Sequence, residues 1–174
     1  MPILSTLRSR RFEARETDNT QQMIAFMLAR DWFALPILEI QKVIPLGTIS
    51  GDPSDRGIGI TTYEKREVLI IDVAKKIFNQ SSTSIQESSL SDNQPQRYLV
   101  LLKDEADNII GLPIDSQPVL YRVSQSDFKP LPEAYLASGN IQCISSQIID
   151  LKDHPPIFLL NRQQLTQYLN GQEK

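Results

Sequence analysis

The sequence predicts a mainly β protein made by duplicating one β-unit and closed as a small barrel or sandwich. Three observations lead there. The stretch Phe33-Ala34-Leu35-Pro36-Ile37 returns as Ile110-Gly111-Leu112-Pro113-Ile114. Each copy follows an apolar run and a polar turn, Ile24 to Leu28 in the first and Tyr98 to Leu102 with the turn Lys103 to Asn108 in the second, which is the pattern of a β-hairpin. Each copy is then followed by an acid, Glu39 or Asp115, and by another apolar step, Ile40 to Ile44 or Val119 to Val123. Repetition on this scale outweighs any single motif.

Taken in order, residues 1–21 are polar and without sustained periodicity, and read as a solvated tail. Its arginines Arg8, Arg10, Arg11 and Arg15 are interrupted by Glu13 and Glu16. The first hairpin unit occupies Gln22 to Ile44, turning at Ala29-Arg30-Asp31. Pro36 has no N–H to give a ladder and predicts an edge or a bend. Leu38 to Ile44 reads as an alternating, half-buried strand. The Gly- and Pro-bearing stretch Pro45 to Arg56 reads as loop. A second hairpin follows, Gly59 to Tyr63 and Val68 to Ile71 around the charged turn Glu64 to Glu67. Asp72 is placed to cap a short helix, Val73 to Phe78.

Residues 79–96 are rich in Ser and Gln with few apolar side chains, too little to offset the entropy of ordering, and read as a connector. The second unit, about 97–161, repeats the first. It runs through the hairpin Tyr98 to Ile114, the strand Val119 to Val123, a Pro-punctuated loop Phe128 to Pro132, the apolar runs Ile141 to Ile144 and Gln147 to Leu151, and Ile157 to Leu160. Asn161 stands where Asp72 stood, before a closing helix over 162–170. The first unit covers about 22–78, and short strands at close spacing fit a barrel or sandwich better than an α/β layer.

Composition narrows the functional classes. The chain has 174 residues, 40% hydrophobic and 22% charged, the balance of an ordinary globular domain. Its net charge of −3 gives no electrostatic support to nucleic-acid binding. The single Cys143 excludes an internal disulfide framework and fits a reducing, cytoplasmic setting. No apolar run approaches the roughly 20 residues of a spanning helix, and no signal-peptide pattern follows the N-terminal arginines, so neither membrane insertion nor secretion is expected.

The residues do not assemble a catalytic constellation. His154, the one histidine, lies beside Pro155 and Pro156 in an expected surface turn. Cys143 follows an alternating apolar run and reads as a small buried residue, without the partners a nucleophile needs. Glycine-rich phosphate loops and metal-ligand spacings are missing, so no cofactor or metal is expected. Asp104 to Asn108 lacks the glycine and distal glutamate of a calcium loop. Two acids that end apolar runs in paired β units, Asp72 and Asp115, invite comparison with aspartic proteases. They are followed by Val73-Ala74 and Ser116-Gln117, not by the Thr/Ser-Gly those enzymes require. A small β-barrel enzyme using Asp115 or Cys143 is therefore the weakest reading, and a non-catalytic binding module the strongest.

The order of elements from Met23 to Leu169 resembles the CheW-like family of adaptors that couple chemoreceptors to a histidine kinase. The residues carrying the resemblance are Ile24-Ala25-Phe26 with Phe33 to Ile37 and Ile40 to Ile44; Val68 to Val73 with Phe78; and Ile110 to Ser116 leading to Val119-Leu120. Ser126-Asp127-Phe128 with Pro130 matches a further acid-then-proline connection. The resemblance implies two SH3-like five-stranded β-barrels sharing a hydrophobic core, with short helices, over 22–170. It implies a non-enzymatic protein located in the cytoplasm and recruited to membrane receptor clusters. It also implies two partners: the regulatory domain of a histidine kinase, and the cytoplasmic helical tip of a chemoreceptor-type protein held in a groove between the barrels. Motility signalling in the form of chemotaxis, phototaxis or pilus-driven movement follows as the output, with a freestanding kinase-binding regulator as the alternative.

By the same resemblance Ile40, Lys42, Val43, Gly59, Thr62, Tyr63, Glu64 and Lys65 belong to the receptor groove. Two departures stand out. The family's Asn-Leu-Arg-Gly is here Thr62-Tyr63-Glu64-Lys65, which puts an acid where a cation would meet an acidic partner surface. Cys143 stands where the family commonly has glycine.

Overall fold

The computed structural model describes residues 19–50, 57–78, 97–103, 106–137 and 143–169. The elements are β1 (Thr20–Leu28), β2 (Asp31–Pro36), β3 (Ile40–Pro45), β4 (Ile58–Tyr63), β5 (Arg66–Ile71), α1 (Val73–Phe78), β6 (Tyr98–Lys103), β7 (Ile109–Ile114), β8 (Val119–Ser124), β9 (Phe128–Pro130), α2 (Glu133–Ala137), β10 (Ile144–Ile149), β11 (Ile157–Leu160) and α3 (Arg162–Leu169). Single 3-10 turns occupy Ile37–Glu39 and Gln125–Asp127. The mainly β class and both capped helices are as expected. Asp72 Oδ1 accepts the Lys75 N–H at 3.1 Å, and Asn161 Oδ1 accepts that of Gln164 at 3.3 Å.

The strands form two sheets, ordered β8-β1-β2-β11-β10-β9 and β3-β6-β7-β5-β4. These sheets are not the two halves of the sequence. The hairpin β1–β2 joins β8 and β11, while its repeat β6–β7 joins β3 and β5. The two repeats thus exchange their leading hairpins. The register follows the repeat closely. Phe158 lies beside Phe33 in the parallel pair β11–β2, as Leu69 lies beside Ile110 in β5–β7. Pro36 and Pro113 sit just past the end of their parallel partner, opposite Met23 and Leu99, where no ladder bond needs a proline N–H.

Both sheets close in the same way. After β3 the chain runs back along β4, with Ser50 and Ile60 exchanging backbone bonds of 2.7 and 2.9 Å and Thr61 Oγ1 donating to the Thr48 carbonyl at 2.8 Å. After β8 the chain crosses to β10 as β9. The return is a single bridge in one barrel and a three-residue strand in the other, which is why the sheets count five and six strands.

Alternation along each strand sends side chains into two different interiors. In β6, Leu99 and Leu101 fill the first barrel, while Val100 and Leu102 join the core shared by both sheets. In β1, Met23 and Ala25 fill the second barrel, and Phe26 and Leu28 the shared core. Gly111 faces the inside of the first barrel, where a Cβ would lie 2.9 Å from Leu99 Cδ1.

Four details differ from expectation. β1 begins at Thr20, two residues before the hairpin read from the sequence, because Thr20 and Gln21 pair with Ser124 and Val123. Leu38 to Ile44 does not alternate throughout. Ile37–Glu39 is a 3-10 turn, and β3 carries a bulge at Gln41, so Ile40 and Val43 face the shared core together. The Pro-punctuated loop Phe128 to Pro132 contains β9 and leads into α2, whose Tyr135 ring packs edge-on against Phe158 at 5.1 Å. Of the two apolar runs around Cys143, Ile144 and Gln147 to Ile149 lie in one strand, β10, while residues 141–142 lie outside the described residues. The tail over 1–18 and the connector over 79–96 lie outside the described residues.

Asp115 acts as a clasp between the sheets. Its Oδ2 accepts the N–H of Ala29, whose φ is 56°, at 2.8 Å, and its own N–H donates to the Met27 carbonyl at 2.9 Å. Ser116 Oγ accepts the Met27 N–H at 2.9 Å. Replacing Asp115 by Ala should lower stability by about 1 kcal/mol, the usual net worth of such a bond. Urea titration should show a lower midpoint at unchanged slope.

Candidate functional site

The eight residues assigned to the groove fall on β3 and on the β4–β5 hairpin, at opposite edges of the first sheet. Closure of the barrel brings these edges together. The bulge at Gln41 decides what β3 contributes. Ile40 lies opposite Leu102 but Lys42 lies opposite Leu101, so Lys42 is turned toward the barrel rim instead of the shared core. Re-aiming a side chain is a common use of a bulge.

At that rim Lys42 Nζ donates to the Tyr63 hydroxyl at 3.0 Å and stands 5.6 Å from the centre of its ring. Tyr63 is half-buried against Leu99, Leu101 and their neighbours, so the ring is a firm base for a mobile cation. The contact raises the Lys42 ammonium above its ordinary value of 10.5. The Tyr63 bond is the main cause, and the nearby Glu64 carboxylate also favours the charged form.

Glu64 and Lys65 form a two-residue turn with φ of 48° and 64°. Arg66 and Glu67, read from the sequence as turn, belong to β5 and pair with Tyr63 and Thr62. Positive φ at both central residues is the condition of a type I′ turn, which favours Asn-Gly. The family's glycine at the Lys65 position meets that condition, and the lysine here meets it at a steric cost.

The structure therefore gathers Lys42, Tyr63, Glu64 and Lys65, with exposed Thr62 beside them. Gly59 is buried within the ladder opposite Ile70. Ile40 and Val43 lie on the other side of β3, half-buried at the seam between the sheets.

Sequence reasoning missed other surface features. Leu38 is 95% exposed on its 3-10 turn, beside an open depression of about 470 Å³ lined by Gln21, Pro36, Ile37 and Arg122. A second depression of about 360 Å³ lies between Met23, Phe128, Leu159 and Arg162. Period-2 reasoning placed Leu38 in a strand; only the 3-10 turn frees it.

His154 lies in the expected turn and is partly exposed. Its ring is held edge-on by Trp32 and Tyr121 at 4.9 and 5.5 Å. Cys143 is buried as expected and has φ of 70°, the conformation in which glycine is favoured. Its N–H donates to Gln164 Oε1 at 2.8 Å, and its carbonyl accepts from Asn161 at 2.7 Å. Among the described residues no three His, Cys, Asp or Glu side chains gather as metal ligands, and no helix is long and apolar enough to cross a membrane.

Comparison with known proteins places this geometry in context. A family model described as the CheW-like domain matches residues 22–169. No curated protein sequence gives a significant match. Among solved structures, the crystal structure of scaffolding protein TtCheW from Thermoanaerobacter tengcongensis is similar in fold. It superposes with a TM-score of 0.60 at 16% identity, covering 82% of this chain and 89% of that one.

Two outcomes test the rim. Lys65→Gly should raise stability by about 0.5–1 kcal/mol by relieving the left-handed lysine, seen as a higher melting temperature. Tyr63→Phe should lower the Lys42 ammonium pKa toward 10.5. An NMR titration of the labelled lysine side chain from neutral to alkaline pH reads this directly. The bond is present with the ammonium protonated and is lost as pH rises through the Lys42 value.

Proposed function

The chain belongs to the CheW-like domain family, and from that premise we propose that it is a non-catalytic adaptor. In this reading it couples a chemoreceptor-type sensor to a histidine kinase in chemotaxis, phototaxis or pilus-driven motility signalling. The observation that carries the reading is the family match over 22–169, which spans almost every described element. The name of the structural neighbour, a scaffolding protein, agrees with it.

The mechanism requires no bond chemistry. One face binds the regulatory domain of the kinase, and the rim and seam around β3 and the β4–β5 hairpin take the helical tip of the receptor. Held together, kinase and receptor meet at an effective concentration set by the scaffold instead of by diffusion. An interface of standard size buries about 800 Å² per partner. Ile40, Lys42, Val43, Gly59, Thr62, Tyr63, Glu64 and Lys65 form the receptor side in this reading, Gly59 through the shape of β4. The adaptor works in the cytoplasm, recruited to receptor clusters.

Glu64, an acid at the turn where the family carries a cation, motivates a second reading: a freestanding regulator that binds the kinase without a receptor. The two readings differ in one measurement. Calorimetry with the purified kinase regulatory domain should show micromolar or tighter binding, and adding the receptor tip should give a ternary complex on gel filtration. A chain that binds kinase but never enters a ternary complex is the regulator. A chain that does not bind kinase at micromolar concentration is neither.

A further inference from the structure

We propose that Lys42 and Tyr63 act as one carboxylate-binding head, through which this chain reads an acidic side chain on its receptor-side partner. The inference rests on the adaptor reading and adds to it the chemistry of the contact.

The geometry starts from the 3.0 Å bond. Because the Tyr63 oxygen accepts from Lys42, its own O–H points elsewhere as a donor. Two further N–H groups of the ammonium remain. Among the described residues Lys42 makes no ion pair; its one polar partner is the neutral phenol. An N–H and an O–H at this separation suit the two oxygens of one carboxylate, each taking one donor, and charge-assisted bonds of this kind are the strong ones. The bond to the hydroxyl of a half-buried ring restrains the ammonium before any partner arrives, which reduces the ordering cost of binding.

The molecule contains its own comparison. On β9, the strand that closes the second barrel, Lys129 is held by the carboxylate of Asp150. Both lysines have raised ammonium values for the same kind of reason, a hydrogen bond to an oxygen. The second barrel supplies the carboxylate from its own chain. Among the described residues the first supplies a hydroxyl and no ion pair, with the Glu64 carboxylate nearby, so the ammonium can still take a carboxylate from a partner.

Charge nearby selects the ligand. Glu64 lies close enough to influence Lys42, so it offsets part of the positive charge that Lys42 presents. It also repels an acid approaching over the turn. A single carboxylate must therefore come in along β3. Across the barrel mouth from the turn, Lys42 on β3 supplies the cation, and the bulge at Gln41 and the Tyr63 hydroxyl hold it there.

The test uses the full chain, the soluble helical-tip fragment of a receptor-type protein from the same cell, and the kinase regulatory domain. Isothermal calorimetry is run on wild type, Lys42→Met and Tyr63→Phe, and on tip fragments in which each surface Asp or Glu is changed to Asn or Gln. Lys42→Met should weaken tip binding about tenfold and Tyr63→Phe about threefold, with melting temperatures near that of wild type. One tip substitution should cost the same tenfold on wild type and nothing further on Lys42→Met, the mark of a direct pair. Tip affinity within twofold of wild type for Lys42→Met, or no tip acid coupled to Lys42, overturns the proposal. A chain that binds kinase but not the tip also overturns it and leaves the kinase half of the adaptor reading standing. A chain that binds neither removes both.

Discussion

Burial of the strands on two faces is the constraint on which the rest of the structure depends. In an ordinary half-exposed sheet one face meets solvent. Here β1, β2, β6 and β7 send alternate side chains into a barrel and into a core common to both barrels. Phe33 and Phe158 meet there with ring centres 5.6 Å apart, surrounded by Phe26, Leu35, Val100, Leu112 and Leu160. Removing one such ring would cost on the order of 3–5 kcal/mol, a large part of the 5–15 kcal/mol that typically separates folded from unfolded chains. The exchange of hairpins makes this core indivisible. Neither sheet is complete without strands from both repeats, so neither repeat can open without exposing the other.

That constraint explains which parts of the fold were legible in the sequence. Hairpins, caps and the duplication are local, and they appear in the residues as runs, turns and matched positions. Asp72 and Asn161 needed only their place before an apolar run. The exchange between repeats is not local. Phe33-Ala34-Leu35 reads as a strand wherever it pairs, and nothing in its own residues says that β11 and not β5 lies beside it. The bulge at Gln41 was hidden for a related reason. Ile40, Val43 and Ile44 are a poor fit to strict alternation, and that misfit was its only trace.

The meeting of Lys42 with Tyr63 was not legible. Their segments were identified by resemblance, and their meeting depends on barrel closure, which sequence spacing does not encode. Lys42 and Tyr63 are 21 positions apart and share no pattern. The two positive-φ residues of the hairpin turn were masked by their charge, since Glu64-Lys65 gives none of the usual signals of a tight turn. The turn at His154 was legible from its two prolines, but its ring contacts were not, because Trp32 and Tyr121 come from distant strands.

Duplication also gives a way to separate structural from functional residues without any other sequence. Positions that play the same part in both repeats, such as Pro36 and Pro113 or Asp72 and Asn161, serve the fold. Positions that differ show where the halves have been released from a common task. Leu38 and Asp115 both follow a Leu-Pro-Ile stretch. Asp115 clasps the β1–β2 turn, while Leu38 stands in solvent. Charge also differs between the barrels: Lys129 of the second is neutralised by Asp150, while Lys42 of the first bonds a phenol hydroxyl. An exposed leucine, and an ammonium with no ion pair among the described residues, each cost a free chain little, and each gains most when covered. A protein with two partners needs two unlike faces. A two-fold fold that breaks its symmetry at a few surface positions supplies them without disturbing the core that holds both barrels together.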